Sequence, residues 1–329
     1  MFLDYYGLRE QPFGVTPDPR FLYFGASHRE ALASLYYGVE SGRGFLALIA
    51  KPGMGKTTLL FHLLGKLRNS ARTAFLFQTQ CDSRQFLRSL MADLGVECRE
   101  NDDLLHLQSQ LNDVLVRETQ SGRRFVLVVD EAQNLEDSVL ETLRMLSNFE
   151  TPRAKLMQII LSGQPQLAIT LASERLVQLR QRVSIVSRLN QLTPAETTAY
   201  IDHRLLVAGY TGKPPFGCGA LERIASVSEG IPRNINNLCF HALTLGFAKS
   251  ARRIDASILE EVLADLALES CGPTNAMEEK TIDDPAPLRS AQQLARFRGF
   301  LRRMRAGPPD CARGHFTSVA KSQPMFAQA

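Results

Sequence analysis

The stretch FLALIAKPGMGKTTLLF, from Phe45 to Phe61, decides how this chain is read. Its first six residues, Phe45 to Ala50, are an unbroken apolar run of the length of a buried strand. The run enters Lys51-Pro52-Gly53-Met54-Gly55-Lys56-Thr57-Thr58 and then the helical start Leu59-Leu60-Phe61. Strand, glycine-rich loop and helix, in that order, are the context in which a phosphate-binding loop is credible. The residue types follow from the chemistry. Gly53 and Gly55 let the backbone curl so that successive N–H groups face phosphate oxygens. A helix beginning near Lys56 adds its positive dipole end. Lys56 brings a point charge to the β- and γ-phosphates, and Thr57 a hydroxyl for Mg²⁺. Ala50 stands where the motif usually has glycine, a place alanine fills if φ is negative. The expected nucleotide contacts are therefore Ala50, Pro52, Gly53, Met54, Gly55, Lys56, Thr57 and Thr58.

A second strand, Phe125 to Val129, ends in Asp130-Glu131. Two carboxylates at the C-terminal end of an apolar strand lie where open α/β sheets bind ligands. Asp130 is expected to hold Mg²⁺ through water, with Thr57 as its companion. Glu131 is expected to act as general base on the attacking water. A pure nucleotide switch has no need of Glu131, so the pair points to ATP hydrolysis.

Outward from these motifs the chain falls into four regions. Residues 1–43 are an opening segment, rich in aromatics and prolines up to Phe24. A helix follows there with Ala31, Leu32, Leu35 and Val39 on one face, Ser27 as its cap and Glu30 as capping-box partner. Residues 44–190 alternate strands (45–50, 73–78, 125–130, 156–162) with helices near 56–69, 83–95, 103–120 and 138–149. That alternation predicts an α/β fold with a parallel sheet covered by helices on both faces. Residues 191–268 carry only helical signals. They start at the capping box Thr193-Pro194-Ala195-Glu196 and continue at 218–229, 232–250 and 255–268. Residues 269–329, broken by several prolines, read as a largely disordered tail.

Composition agrees with a soluble globular protein: 44% hydrophobic and 22% charged residues. No apolar run reaches the ~20 residues of a membrane-spanning helix, and the N-terminus has no secretory-signal pattern. The six cysteines are scattered, with no CxxC pair, which suits a reducing cytoplasm and a cytoplasmic location. The net charge of +4 comes from residues 271–329, which hold nine Lys+Arg against five Asp+Glu and leave 29 of each sign in the first 270 residues. The folded part thus exerts no global pull on nucleic acid or lipid. Within the tail, residues 291–306 place Leu294, Phe297, Leu301 and Met304 at helical spacing among five arginines. Such a basic amphipathic segment suits an anionic membrane surface, a nucleic acid or a partner protein, or is an arginine-rich tail with no ligand.

Beyond the two motifs, further residues resemble the AAA+ ATPases of the ExeA type, the general secretion pathway protein A group. The carriers are Tyr5-Tyr6-Gly7-Leu8 with Gln11-Pro12-Phe13, Thr16-Pro17-Asp18-Pro19-Arg20-Phe21-Leu22-Tyr23 and His28-Arg29-Glu30-Ala31-Leu32. Gly42-Arg43-Gly44-Phe45, Asp130-Glu131-Ala132-Gln133-Asn134-Leu135, Gly163-Gln164-Pro165 and Gly230-Ile231-Pro232-Arg233-Asn234-Ile235-Asn236 complete them. The resemblance spans roughly residues 3–268. It implies a P-loop NTPase domain, an all-α lid, an opening segment packed on the ATPase domain near the adenine, and nucleotide-dependent self-association.

The resemblance also implies roles for particular residues. Ser162 and Gln164 match the sensor-1 region, orienting water or the γ-phosphate. Arg233 matches sensor 2, reaching from the lid to the phosphates, or else is a structural cap. Arg182 is the arginine-finger candidate, given to a neighbouring subunit, with Arg180 as its competitor; both also read as solvated helix charges. The longer family members carry a membrane span and a peptidoglycan-binding part, absent here, so a short soluble member is expected. The leading expectation is an ATP-driven assembly or remodelling motor for a cell-envelope, secretion or exopolysaccharide system. The second is a nucleotide-gated DNA-binding ATPase of the transposition-helper or origin-binding type.

Overall fold

The apolar runs become the strands of a five-stranded sheet. They are β1 (Phe45–Ile49), β2 (Ala71–Leu76), β3 (Arg124–Val129), β6 (Met157–Gly163) and β7 (Val183–Arg188). Between β3 and β6, β4 (Glu150–Thr151) and β5 (Ala154–Lys155) form a separate antiparallel ribbon. The main sheet has the order β2-β3-β6-β1-β7, and every pair in it is parallel. The computed structural model describes residues 2–270 except 78–79, 100 and 153; the tail and its segment 291–306 lie outside the described residues.

Parallel pairing needs crossovers, and helices supply them: α3 (Lys56–Leu67), α4 (Ser83–Asp93), α5 (Leu104–Gln120), α6 (Asp137–Leu146), α7 (Pro165–Ala172) and the short α8 (Val177–Arg180). Helices on both faces explain why β1 and β6 are buried at every position. The sequence reading counts four strands, and the structure adds β7. Its residues alternate between exposed and covered, because β7 is an edge strand beside β1. It carries Ser184, Ser187 and Arg188 in place of a continuous apolar run, so its sequence lacks the buried-strand signature.

After β7 only helices follow: α9 (Pro194–Val207), α10 (Cys218–Val227), α11 (Pro232–Ala248) and α12 (Ala256–Ser270). The capping box at Thr193 is formed, with its hydroxyl accepting from Glu196 N–H and the Glu196 carboxylate accepting from Thr193 N–H. These helices enclose a core of their own, distinct from the one beneath the sheet.

The opening segment divides between the two cores: its aromatic part joins the helical core, where the expectation has the whole segment on the ATPase domain, and its later helix lies on the sheet. Helix α1 (Phe2–Tyr6) and the following coil place Tyr6, Leu8, Phe13 and Phe21 in the helical core, beside Tyr200 and Leu205 of α9. Arg204 secures them: it is buried, its guanidinium donates to the Pro12 and Gly14 carbonyls, and it lies 4.8 Å over the Phe21 ring. Helix α2 (Ala26–Glu40) packs instead on the sheet at β7 and β1. Its cap is Gly25, not Ser27. The N–H of Ala26 is satisfied by Glu196 Oε1 at 3.0 Å, so one carboxylate serves the starts of α2 and α9. Ser27 bonds to the backbone of Asn190.

The link between sheet and helical layer requires a glycine. Gly230 has φ +65°, and a Cβ there would lie 2.0 Å from the Leu192 carbonyl oxygen. The Leu192 N–H donates to the Gly230 carbonyl at 2.9 Å. Among the described residues no helix is long and apolar enough to cross a membrane.

Candidate functional site

The sheet order brings three strand ends together. β6 lies between β1 and β3, so the loop after β1, the acids after β3 and the segment after β6 meet at one edge. The Ala50 N–H donates to the Gly163 carbonyl at 3.1 Å, and the Asp130 N–H to the Leu76 carbonyl at 2.9 Å.

The loop from Ala50 to Gly55 leads into α3, which starts at Lys56. Gly53 and Gly55 have φ of +80° and +84°, the left-handed region where a side chain is costly. The Lys56 ammonium is buried and donates to the Ala50 carbonyl at 3.2 Å. Burial pushes its pKa below the ordinary lysine value, while the charges of Glu131 and Asp130 oppose that fall. A buried cation beside an open glycine loop is suited to an anionic ligand.

Asp130 is buried with both carboxylate oxygens engaged. Oδ2 accepts from the Thr57 hydroxyl at 2.6 Å; Oδ1 accepts from the Ser162 hydroxyl at 2.7 Å and from Glu131 N–H at 3.0 Å. The structure thus ties Ser162 to Asp130. Thr57 and Asp130 thus form a hydroxyl–carboxylate pair with the oxygen donors that a Mg²⁺ ion beside phosphates would need. Among the described residues no group of three or more His, Cys, Asp or Glu forms a separate metal cluster.

Glu131 is half-buried, with φ +53°, a left-handed conformation that costs a non-glycine residue about 1–3 kcal/mol. Its Oε2 accepts from the Gln133 side-chain amide at 2.7 Å and from that of Gln164 at 3.3 Å. Gln164 therefore lies beside Glu131, and it also stands at the N-cap of α7. Gln133 is a participant that sequence reasoning did not single out. It stands within the quoted Asp130–Leu135 motif, but its partners lie on Glu131 and in a segment 31 residues on.

The helical layer reaches the same place. The N–H of Arg233, in the first turn of α11, donates to the Gly53 carbonyl at 3.2 Å, and its exposed side chain adds positive charge near Lys56. A cleft beside the loop is lined by Leu22, Tyr23, His28, Met54, Thr58 and Pro232. It combines opening segment, loop and helical layer around mostly apolar walls. The His28 ring, buried, contacts the Met54 carbonyl through Nε2 at 3.1 Å, and burial lowers its pKa from the ordinary 6.5. His28 is a further residue that sequence reasoning did not assign to the site.

Arg182 and Arg180 are not brought to this site within the chain. Val183 pairs with Phe45 at the start of β1, so Arg182 lies at the opposite end of the sheet from the loop. Its guanidinium donates to Ser147 Oγ at 2.8 Å and to Asn148 Oδ1. Arg180 is exposed at the end of α8, with a 3.4 Å contact to the Ala172 carbonyl. Arg180 thus sits as a solvated helix charge, whereas Arg182 lies between α8 and β7 and is bonded to Ser147 and Asn148.

Comparison with known proteins agrees with this architecture. Residues 39–171 match the family model described as an AAA domain. The chain is 37% identical over 254 residues to general secretion pathway protein A of Aeromonas hydrophila, covering 77% of this chain and 46% of that protein. The chain thus spans about half the length of that curated relative. Among solved structures it resembles the Aeropyrum pernix ORC2 protein in its ADPNP–ADP complexes. The TM-score there is 0.61, with 15% identity over 80% of this chain and 75% of that one. It also resembles Cdc6p of Pyrobaculum aerophilum, at TM-score 0.60 with 14% identity over 74% of this chain and 67% of that one. At these identities the likeness is one of fold.

Proposed function

The chain belongs to the AAA family of P-loop proteins, in the group resembling general secretion pathway protein A, and on that premise we propose that it binds ATP with Mg²⁺ and hydrolyses it. One observation carries the reading. A buried lysine, a hydroxyl–carboxylate pair and a second, amide-held carboxylate converge on one glycine-lined loop.

In this reading the N–H groups from Gly53 to Thr58 receive the phosphates, and Lys56 pairs with the β- and γ-phosphates. Thr57 and Asp130 would hold Mg²⁺, whose charge would offset that of the phosphates. The Thr57 hydroxyl, bonded to Asp130 in the structure, would be one of the metal's oxygen ligands. The adenine occupies the cleft beside His28 and Thr58, between opening segment and lid. Glu131 takes a proton from water as its oxygen bonds to the γ-phosphorus and ADP leaves. Gln164 orients that water, and Arg233 meets the growing negative charge from the lid. Arg182 has no such duty in its own chain; it serves the site of a neighbouring copy, with Arg180 as the competitor.

Hydrolysis would move α11 against Gly53 and so turn the lid. That motion would drive assembly or remodelling of a secretion or cell-envelope system, in line with the name of the 37% identical relative. ATP as the fuel supports a location on the cytoplasmic side. The deciding experiment is Glu131→Gln. ATP binding should persist while turnover falls by about a hundredfold or more. Unchanged hydrolysis would remove Glu131 from its role, and lack of nucleotide binding by the unaltered protein would end the proposal.

A further inference from the structure

Gln133 is a carboxamide with both ends occupied. Its Nε2 donates to Glu131 Oε2 at 2.7 Å, and its Oε1 accepts from the Gln164 backbone N–H at 3.0 Å. The partners fix the orientation of the amide: turned over, it would set N–H against N–H and oxygen against carboxylate. Space for it is provided by Gly163. A Cβ on that residue would lie 2.8 Å from Gln133 Oε1. Gly163 has no positive φ, so its lack of a side chain serves space and not backbone conformation.

The two motifs around Glu131 and Gln164 are thus one physical unit. Gly163 leaves space that Gln133 shares with Leu167, the Gln164 N–H closes one end of the amide, and Glu131 is held at the other. The Gln164 side chain also reaches Glu131, but at 3.3 Å, and its proposed duty lies with water and phosphate. Once it turns to that duty, Gln133 is the donor left on the carboxylate. Glu131 needs such a hold, because its backbone sits in the left-handed region, uphill for a residue with a side chain.

We propose that Gln133 is the positioning residue of Glu131: it keeps the carboxylate aimed at the attacking water and registers that aim to the strand end before α7. It touches neither nucleotide nor water itself. The inference rests on the ATPase reading for its kinetic consequence, but not for the contact.

Gln133→Met in the full chain keeps side-chain bulk and removes both polar ends. With Mg²⁺-ATP, kcat should fall about tenfold or more, while the affinity for a fluorescent ATP analogue stays within about twofold. In a Glu131→Gln background the same change should leave residual turnover within about twofold, since nothing remains to be aimed. Unchanged kcat in Gln133→Met, or losses that multiply in the double variant, would overturn the proposal. A thermal-unfolding cycle with Glu131→Ala and Gln133→Ala reads the contact without any turnover. The double variant should lose clearly less than the two single losses combined, whereas full additivity would refute the contact. Should the unaltered protein hydrolyse no ATP, the proposed function fails, and the unfolding cycle still decides whether Gln133 holds Glu131.

Discussion

The backbone N–H of Arg233 donates to the Gly53 carbonyl at 3.2 Å, so the first turn of α11 rests on the phosphate loop through main-chain atoms. The guanidinium is left free of this seam and exposed. Arg233→Ala should therefore keep the lid seated. Its melting temperature should stay within about 2 °C of the unaltered protein, as for other surface changes. Turnover should fall about tenfold or more, because a cation is withdrawn from the developing charge. Scanning calorimetry beside a phosphate-release assay tests both halves. A large loss of stability would mean that Arg233 is a structural cap.

Gly53→Ala attacks the same seam from the other side. A Cβ there would lie 2.7 Å from Arg233 Cβ and 3.1 Å from Ile231 Cγ2, at φ +80°. The left-handed backbone alone costs alanine about 1–2 kcal/mol, and the contacts push the lid off the loop. Lower melting temperature and weaker nucleotide binding should appear together. Normal binding by this variant would contradict the loop geometry.

The phosphate loop was legible because its chemistry is local. Gly53, Gly55, Lys56 and Thr57 lie within five positions, and the left-handed turns they imply are present. Asp130 and Glu131 were legible because an apolar strand points at them. What escaped depends on distant partners. Nothing near Gln133 announces that its acceptor end belongs to Gln164, and nothing near Glu196 announces that it caps α2, 170 residues away. β7 escaped for another reason: an edge strand need not be apolar on both faces, so Ser184, Ser187 and Arg188 hid it. The opening aromatics showed that they wanted burial but not against which core.

His28 makes stability depend on pH. Burial lowers its folded pKa below the ordinary 6.5, with Glu196 as the carboxylate that partly opposes this. Above 6.5 the ring is neutral in both states and costs nothing. As pH falls from 6.5 toward the lowered folded value, the unfolded chain binds a proton that the folded one refuses, and stability drops. Below the folded value the loss is complete and constant. His28→Gln keeps a donor for the Met54 carbonyl but cannot titrate. Its melting temperature should fall less steeply between pH 7 and 5 than that of the unaltered protein. His62 and His203, also lowered by burial, contribute equally to both curves. Parallel curves would show that His28 is not the source.

Arg182 offers a test of whether sites are shared between copies. Its guanidinium lies at the sheet end opposite the loop, held by Ser147 and Asn148. If it completes a neighbour's site, Arg182→Ala and Glu131→Gln are defective in different halves of one composite centre. The first keeps its base but offers its neighbour no finger; the second offers a finger but has no base. Each alone should be nearly inactive. In an equal mixture of head-to-tail copies, about one interface in four pairs an intact base with an intact finger. The mixture should therefore recover roughly a quarter of normal turnover, more than either variant alone. Arg180→Ala in place of Arg182→Ala serves as the matched comparison. A mixture no more active than its components would place Arg182 among purely structural residues, bound only to the end of α6.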